Sequence, residues 1–343
     1  MMRLPLSWLL AFTTAALALL LLGSLATGPM TLTLGESLRA LFAGQESGIE
    51  SHKLLIVQEI RLPRTLLCIA VGGILGLCGA VMQGLFRNPL ADPGIIGVSG
   101  GAALGAALAI VLLAPLGESL QQLLGVGLLP LLAFLGGALT TTLVYLLGTR
   151  EGGTSVTVML LAGVAITALS GAVIGLLTYL ADDQMLRNLS LWQMGTLAAG
   201  KPADVALALL TLAALLWLFM RDANPLNALL LGEGEARHLG INVQSLKRRL
   251  ILLTAAGVGV AVAVSGMIGF VGLVVPHLVR LLAGPNHVRL LPLSALLGAA
   301  LLLAADMLAR TLLAPAELPV GIITALLGAP FFIWLLVKGR RAL

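Results

Sequence analysis

Apolar runs long enough to cross a lipid bilayer recur along the whole chain, at residues 6–28, 62–85, 94–114, 124–147, 155–180, 203–220, 249–265, 269–283, 291–312 and 320–337. At about 1.5 Å of rise per helical residue, about 20 residues cross a hydrocarbon core of about 30 Å. No water reaches that core, so every backbone N–H and C=O must be paired within its own helix or around a closed barrel. Barrel strands alternate apolar and polar residues, and these runs do not. The sequence therefore specifies an all-α polytopic membrane protein of about ten transmembrane helices. A content of 59% hydrophobic and 10% charged residues, with a mean hydropathy of +1.07, excludes a water-soluble domain of ordinary makeup.

Charge then sets the orientation. With Arg3 on the cytoplasmic side and the sides alternating, Arg87, Arg150, Arg221, Arg237, Lys247, Arg248, Arg249, Arg280, Arg289, Lys338, Arg340 and Arg341 also fall inside. Arg39, Lys53, Arg61, Arg64, Arg187, Lys201 and Arg310 fall outside. This is the bias of the positive-inside rule, and it predicts both termini in the cytoplasm. The net charge of +5 sits at the ends of apolar runs with no interleaved stacking aromatics, so it speaks of membrane orientation and against nucleic acid. Arg3, an apolar stretch and the small residues Ser24, Leu25 and Ala26 resemble a secretory signal. The apolar stretch is long for one and more spans follow, so an uncleaved first helix is expected. Cys68 and Cys78, ten residues apart in one run, lie about 15 Å apart along a helix axis and cannot bridge each other.

Two polar interruptions stand out. Residues 29–60 contain the amphipathic LGESLRALFAG and the polar QESGIESHK, which read as an external surface helix followed by a loop. Residues 221–248 are internal and hold two short helical pieces separated by a hinge at Gly232 and Gly234; a charged loop of that size suits a docking surface. Here Glu233, Glu235 and Arg237 cluster in LGEGEARHLG.

Chemistry-bearing motifs are scarce. GTLAAGKP, residues 195–202, matches the first part of a phosphate-binding loop and then fails: Pro202 stands where a Ser or Thr would hold magnesium, and no strand precedes it. No HExxH, CxxC or Ser/His/Asp grouping is present, so neither a metal site nor catalysis by this chain alone is expected. Gly94, Gly97, Gly101 and Gly105 approximate a small-xxx-small stripe, and Gly163, Ser170 and Gly171 form a second small-residue region. Such residues allow close helix packing in lipid, or leave room for a bulky solute. Asp306 and Arg310, four apart with the acid first, suit an intrahelical ion pair. Arg310 also comes to the level of Arg61 and Arg64, so the three can form one basic ring at the outer end. His277 is expected to cap or pack beside Pro276.

Two long stretches carry a family resemblance: RLPRTLLCIAVGGILGLCGAVMQGLFRNPLADPGIIGVSGGAALG, and the region from SGMIGFVGLVVPHLVR to LPVGIITALLGAPFFIWLL. Over essentially its whole length the chain resembles the FecCD-type permeases, membrane subunits of ABC importers for haem, ferric siderophores and cobalamin. The resemblance implies a single permease domain over 1–343, in the bacterial inner membrane. It further implies an inverted repeat of helices 2–5 and 7–10, although the two halves share too little sequence to show it. The partners implied are a second copy of the chain, two cytoplasmic ATPase subunits and a periplasmic binding protein. ATP and magnesium would be bound by the ATPase, with no cofactor on this chain. By the same resemblance, Arg61, Arg64 and Arg310 would meet acidic residues of the binding protein. Gly232, Glu233, Glu235, Ala236, Arg237 and Gly240 would lie in the ATPase-coupling loop, with a Glu235-to-Gly240 spacing one residue shorter than in the EAA loop of other importers. Gly97, Gly101, Gly105, Gly163, Ser170 and Gly171 would line the pathway or pack helices. DDQMLRNLSLWQMGTL looks more like the haem branch, which places haem ahead of ferric siderophore and cobalamin third. A stand-alone secondary transporter is the alternative of another class; it needs a membrane-embedded acid for ion coupling, and Asp306 is the clear candidate.

Overall fold

The computed structural model describes residues 5–42, 50–113, 127–150, 153–198 and 200–340; the expected anchors Arg3 and Arg341 lie outside them. Seven described helices are long and apolar enough to span: α1 (Leu6–Ala26), α3 (Ser51–Leu85), α5 (Leu128–Gly148), α6 (Val156–Leu180), α8 (Pro202–Arg221), α11 (Val243–Ser265) and α13 (His287–Thr311). Three more apolar helices carry the remaining runs: α4 (Val98–Val111), α12 (Val271–Ala283) and α14 (Val320–Arg340). The ten expected runs thus all fall on helices, seven of them of spanning length and composition among the described residues. Among the described residues, four short α-helices lie between them: α2 (Leu34–Phe42), α7 (Asp183–Gln193), α9 (Ala223–Leu231) and α10 (Glu233–His238). The described strands, β1 (Thr149–Arg150) and β2 (Gly153–Thr154), form the hairpin between α5 and α6.

Helix α3 is the central post, with 89% of its apolar window buried against 17% for α1 and α6. Glycines let its neighbours approach. A Cβ on Gly72 would lie 2.4 Å from the Gly298 carbonyl oxygen, and one on Gly298 would lie 2.3 Å from that of Gly72. Burial from water drives little association in lipid, so backbone approach of this kind supplies the packing.

The predicted boundaries need correction in two places. Residues 51–60, expected as loop, are helical and continuous with α3. The resulting 35-residue rod is about 52 Å long, well beyond a hydrocarbon core of about 30 Å. Its projecting end is covered by α2: Leu54 and Val57 pack with Leu32 and Ala40, while Lys53 donates to Glu36 at 2.9 Å. That bond, with those from Thr33, holds the Glu36 pKa down at about 2. Helix α11 likewise begins six residues earlier than expected, so the Lys247–Arg249 triplet is helical. In both places the helix outruns the apolar run from which it was predicted.

Just before the span proper, Ile56–Arg61 widens to a π-helix. Pro63 accounts for it: the ring clashes with the carbonyl four residues back and offers it no N–H, and a wider turn relieves both.

A repeat is visible in two matched pairs of helices. The short helices α4 and α12, 14 and 13 residues long, each start from a residue in left-handed conformation, Gly97 (φ +83°) and Phe270 (φ +67°). The segments leading into them share a sequence: Gly94-Ile-Ile-Gly97-Val-Ser-Gly100 and Gly266-Met-Ile-Gly269-Phe-Val-Gly272. The last helix of each half shares another, Ile166-Thr-Ala-Leu-Ser-Gly-Ala172 in α6 and Ile323-Thr-Ala-Leu-Leu-Gly-Ala329 in α14. The halves thus do share sequence, contrary to expectation, in short blocks at the helix entries and crossings. The two entry segments also meet, since a Cβ on Gly272 would lie 3.1 Å from Pro93 Cδ.

Candidate functional site

One end of the bundle gathers the three arginines expected on the outside, and turns them inward. Arg61, Arg64 and Arg310 are 3%, 6% and 2% exposed. Asp306, with no exposed surface, sits between two of them: Arg64 Nη2 is 2.9 Å from Oδ1, and Arg310 Nε is 3.0 Å from Oδ2. Arg64 Nη1 reaches Glu317 at 2.6 Å, the one partner of the group with a partly exposed side chain. Arg61 donates to the carbonyls of Leu25, Ala26 and Met30, and Arg310 to that of Thr27 at 3.1 Å and to Ser24 Oγ at 2.8 Å.

The local logic is that of a helix C-terminus. The last carbonyls of α1 have no donors of their own and carry the negative end of the helix dipole, so guanidinium groups satisfy both needs. The predicted basic ring therefore exists as a juxtaposition, and the expected Asp306–Arg310 pair is made. The guanidiniums themselves point into the chain, which a sequence count of charges cannot reveal. Asp306 is likewise committed to two cations, unlike the free acid that ion coupling would use.

The opposite end holds the charged loop. Gly232 ends α9 and starts α10 at φ +126°, and Gly240 follows α10 at φ +80°, both conformations that favour glycine. Gly234, expected as part of the hinge, lies inside α10 instead. Ala236 is buried, while Glu235 and Arg237 face outward. The two apolar side chains flanking α10 were missed from sequence: Leu231 is 70% exposed and Leu239 64%. The outward side chains of this short segment are thus of mixed charged and apolar character. The loop is tied down from beneath: Arg249 pairs with Asp222, and Asn227 accepts from the His287 N–H at 2.8 Å and donates to Asn286 Oδ1 at 3.0 Å.

Between the ends, the glycine stripes resolve by position. A Cβ on Gly101 would lie 2.3 Å from the Gly136 carbonyl, one on Gly105 2.0 Å from that of Leu132, and one on Gly163 2.0 Å from that of Ile95. Gly97 accepts a 2.8 Å bond from Thr140 Oγ1 through its carbonyl. Gly101, Gly105 and Gly163 thus sit at close backbone crossings, and Gly163 also borders an open cleft. Ser170 is buried, while Gly171 has open space around it. An open cleft of about 550 Å³ between α4 and α6 is lined by Asp92, Ser99, Gly100, Gly163, Thr167 and their neighbours. Its counterpart by the repeat, between α12 and α14, encloses about 180 Å³ and includes Phe270, Thr324 and Gly328.

The remaining sequence expectations find places too. Gly195, in the near-miss phosphate loop, takes φ +73° where the chain crosses the Met267 carbonyl. His277 packs edge-on against Phe331, with centroids 6.1 Å apart. Both cysteines are free and buried. Among the described residues, no cluster of three or more His, Cys, Asp or Glu side chains could hold a metal ion.

With the geometry in hand, relatives can be compared. The chain is 47% identical over 336 residues to a hemin transport system permease protein of Yersinia pestis, covering 97% of this chain and 96% of the relative. It is 42% identical over 338 residues to a vitamin B12 import system permease protein of Shigella boydii, covering 97% and 96%. Among solved structures, an inward-facing conformation assigned to a metal-chelate type ABC transporter superposes with a TM-score of 0.82 at 33% identity, covering 97% of this chain and 99% of that one. The family model of the FecCD transport family matches residues 16–338, and this chain belongs to that family.

Proposed function

We propose that the chain is the membrane subunit of an ATP-driven importer that moves an iron chelate, haem first among the candidates, from periplasm to cytoplasm by alternating access. The observation that carries this reading is the full-length similarity to a hemin permease, at 47% identity. A cobalamin importer is the second reading, favoured by the 42% identity to a vitamin B12 permease over an equal share of the chain. In either case the chain works as a pair with a second copy. It sits in the bacterial inner membrane with both termini cytoplasmic. Two ATPase subunits bind ATP and magnesium, and a periplasmic protein delivers the substrate.

The α9–α10 face supports the ATPase contact. Gly232 and Gly240 shape it, Ala236 anchors it, and Glu233, Glu235, Arg237, Leu231 and Leu239 supply a surface of mixed charge and apolar character. The binding protein would dock at the opposite end. Docking by Arg61, Arg64 and Arg310 then carries a condition set by the geometry: a guanidinium must exchange an internal partner for an external carboxylate. Arg64 is best placed, because its Glu317 partner is at the surface.

Reconstitution in liposomes with the ATPase and binding protein tests the function. ATP-dependent uptake of haem, ferric siderophore and cobalamin is measured side by side, and haem uptake is expected. Uptake without ATP would refute the importer reading, and uptake of cobalamin alone would select the second one.

A further inference from the structure

Arg248 and Arg249 of the basic triplet face water, as a positive-inside anchor should, but Lys247 is 2% exposed. Burying an ammonium group costs several kcal/mol unless it is well paired, so its partners are informative. Nζ donates to Glu233 Oε1 at 2.6 Å and to the Thr154 carbonyl at 3.1 Å. Glu233 is the first residue of α10, and Thr154 closes the β1–β2 hairpin that feeds α6. Gln244, on the same helix as Lys247, accepts from the Thr154 N–H at 3.1 Å. Both backbone groups of Thr154 are thus held by side chains of α11. Gly153, at φ +114°, makes the approach possible, since a Cβ there would lie 2.3 Å from Gln244 Nε2.

The loop therefore meets both halves of the bundle. Helix α9 holds the second half through Asn227 and the start of α13. Helix α10 reaches the first half through Lys247, which bonds to both α10 and the hairpin. The hairpin leads directly into α6.

We propose that Lys247 is a positioning residue for energy coupling, transmitting displacement of α10 through Thr154 to α6. The proposal rests on the reading of α9–α10 as the ATPase contact. An ammonium group suits the role because its compact charge holds a carboxylate and a carbonyl at once, without the planar geometry a guanidinium imposes.

The test uses the whole complex in liposomes and three readouts: ATPase retained on the purified permease, rate of ATP hydrolysis, and substrate taken up per ATP. Lys247→Met should retain the ATPase and hydrolyse at close to the wild-type rate, while uptake per ATP falls about tenfold, in the range seen when one element of a coupling network is removed. Lys247→Arg should recover part of the loss. Gln244→Ala, which loosens the hairpin and leaves Lys247 in place, should fall in the same direction by less, and it carries the test if Lys247→Met does not fold. Unchanged uptake per ATP in Lys247→Met, or in Gln244→Ala where that variant carries the test, overturns the proposal. Loss of the ATPase from folded Lys247→Met also overturns it, because the residue would then shape the docking face. A wild-type permease that retains no ATPase would sink the functional reading instead, a distinct result.

Discussion

Replacing Asp306 with Asn isolates the role of the buried charge at the arginine end. The side chain keeps its volume and one acceptor but loses the charge shared by Arg64 and Arg310. Asp306 has no exposed surface, and both guanidiniums are nearly as buried, so water cannot take its place. Removing one partner from a buried ion network costs about 3–5 kcal/mol, since uncompensated charge stays behind. Glu317→Gln provides the internal standard. It removes the other carboxylate on Arg64, but that side chain is 34% exposed, and a pair open to solvent is worth about 0–1 kcal/mol. Unfolding of the detergent-solubilised chain by titration with a denaturing detergent, followed by the fluorescence of its four tryptophans, measures both. Asp306→Asn should shift the transition by several times the shift of Glu317→Gln. Equal shifts would refute the claim that the network is dry and structurally committed.

Glu317→Gln also serves a different measurement: freeing Arg64 from its surface partner should tighten binding-protein affinity about two- to fivefold, in keeping with a pair worth up to about 1 kcal/mol, and unchanged affinity in surface plasmon resonance would remove Arg64 from docking. Reversing Arg61, Arg64 and Arg310 to Glu is a poorer test, because it would strip the α1 carbonyls and the Asp306 site together and abolish folding before docking is read. Gly298→Ala pushes a methyl group against the Gly72 carbonyl and should destabilise by about 1–3 kcal/mol as overpacking does; the same unfolding titration checks it. Gly232→Ala meets no neighbour but must hold φ +126°, at about 1–3 kcal/mol of local strain, so ATPase retention on the purified permease should weaken beyond that of Gly298→Ala while the unfolding transition shifts by a similar amount.

The sequence reading placed the spans because each is an unbroken apolar run, and it placed the charged loop because glycines punctuate it. It brought Arg61 and Arg64 to the same end of the bundle as Arg310, as found, and could not see which way they point. The carboxylate that holds Arg64 is 242 residues away, and no local spacing rule reaches that far. The Asp306–Arg310 pair was legible for the opposite reason, being one helical turn. The starts of α3 and α11 were misjudged, since polar residues such as Ser51, His52 and Lys53 read as loop by composition yet extend the helix. Lys247 was counted as an ordinary cytoplasmic anchor, because hydropathy cannot distinguish a buried lysine from its exposed neighbours. The repeat was within reach: aligning the segments that enter the short spans brings Gly94 onto Gly266 and Gly97 onto Gly269. Such blocks stand out only once the topology says which helices correspond.

The same repeat shows where the two halves part. Gly171 and Gly328 hold equivalent places in the shared block, yet Gly328 lies against the Phe270 side chain and Gly171 meets nothing within 4 Å. The second half thus closes on itself, its αL phenylalanine wedged beside α14, and keeps only a small apolar cavity. The first half enters α4 through Gly97, which has no side chain to offer, and its cleft between α4 and α6 stays open with Asp92, Ser99 and Thr167 along the wall. Both helices are crossed at close range, α6 at Gly163, where a Cβ would lie 2.0 Å from the Ile95 carbonyl, and α14 at Gly321, where one would lie 2.1 Å from the Met194 carbonyl. One architecture used twice therefore yields a half with an open, polar-edged cleft and a half closed by an aromatic side chain. Lys247 joins the α9–α10 segment to the half with the open cleft.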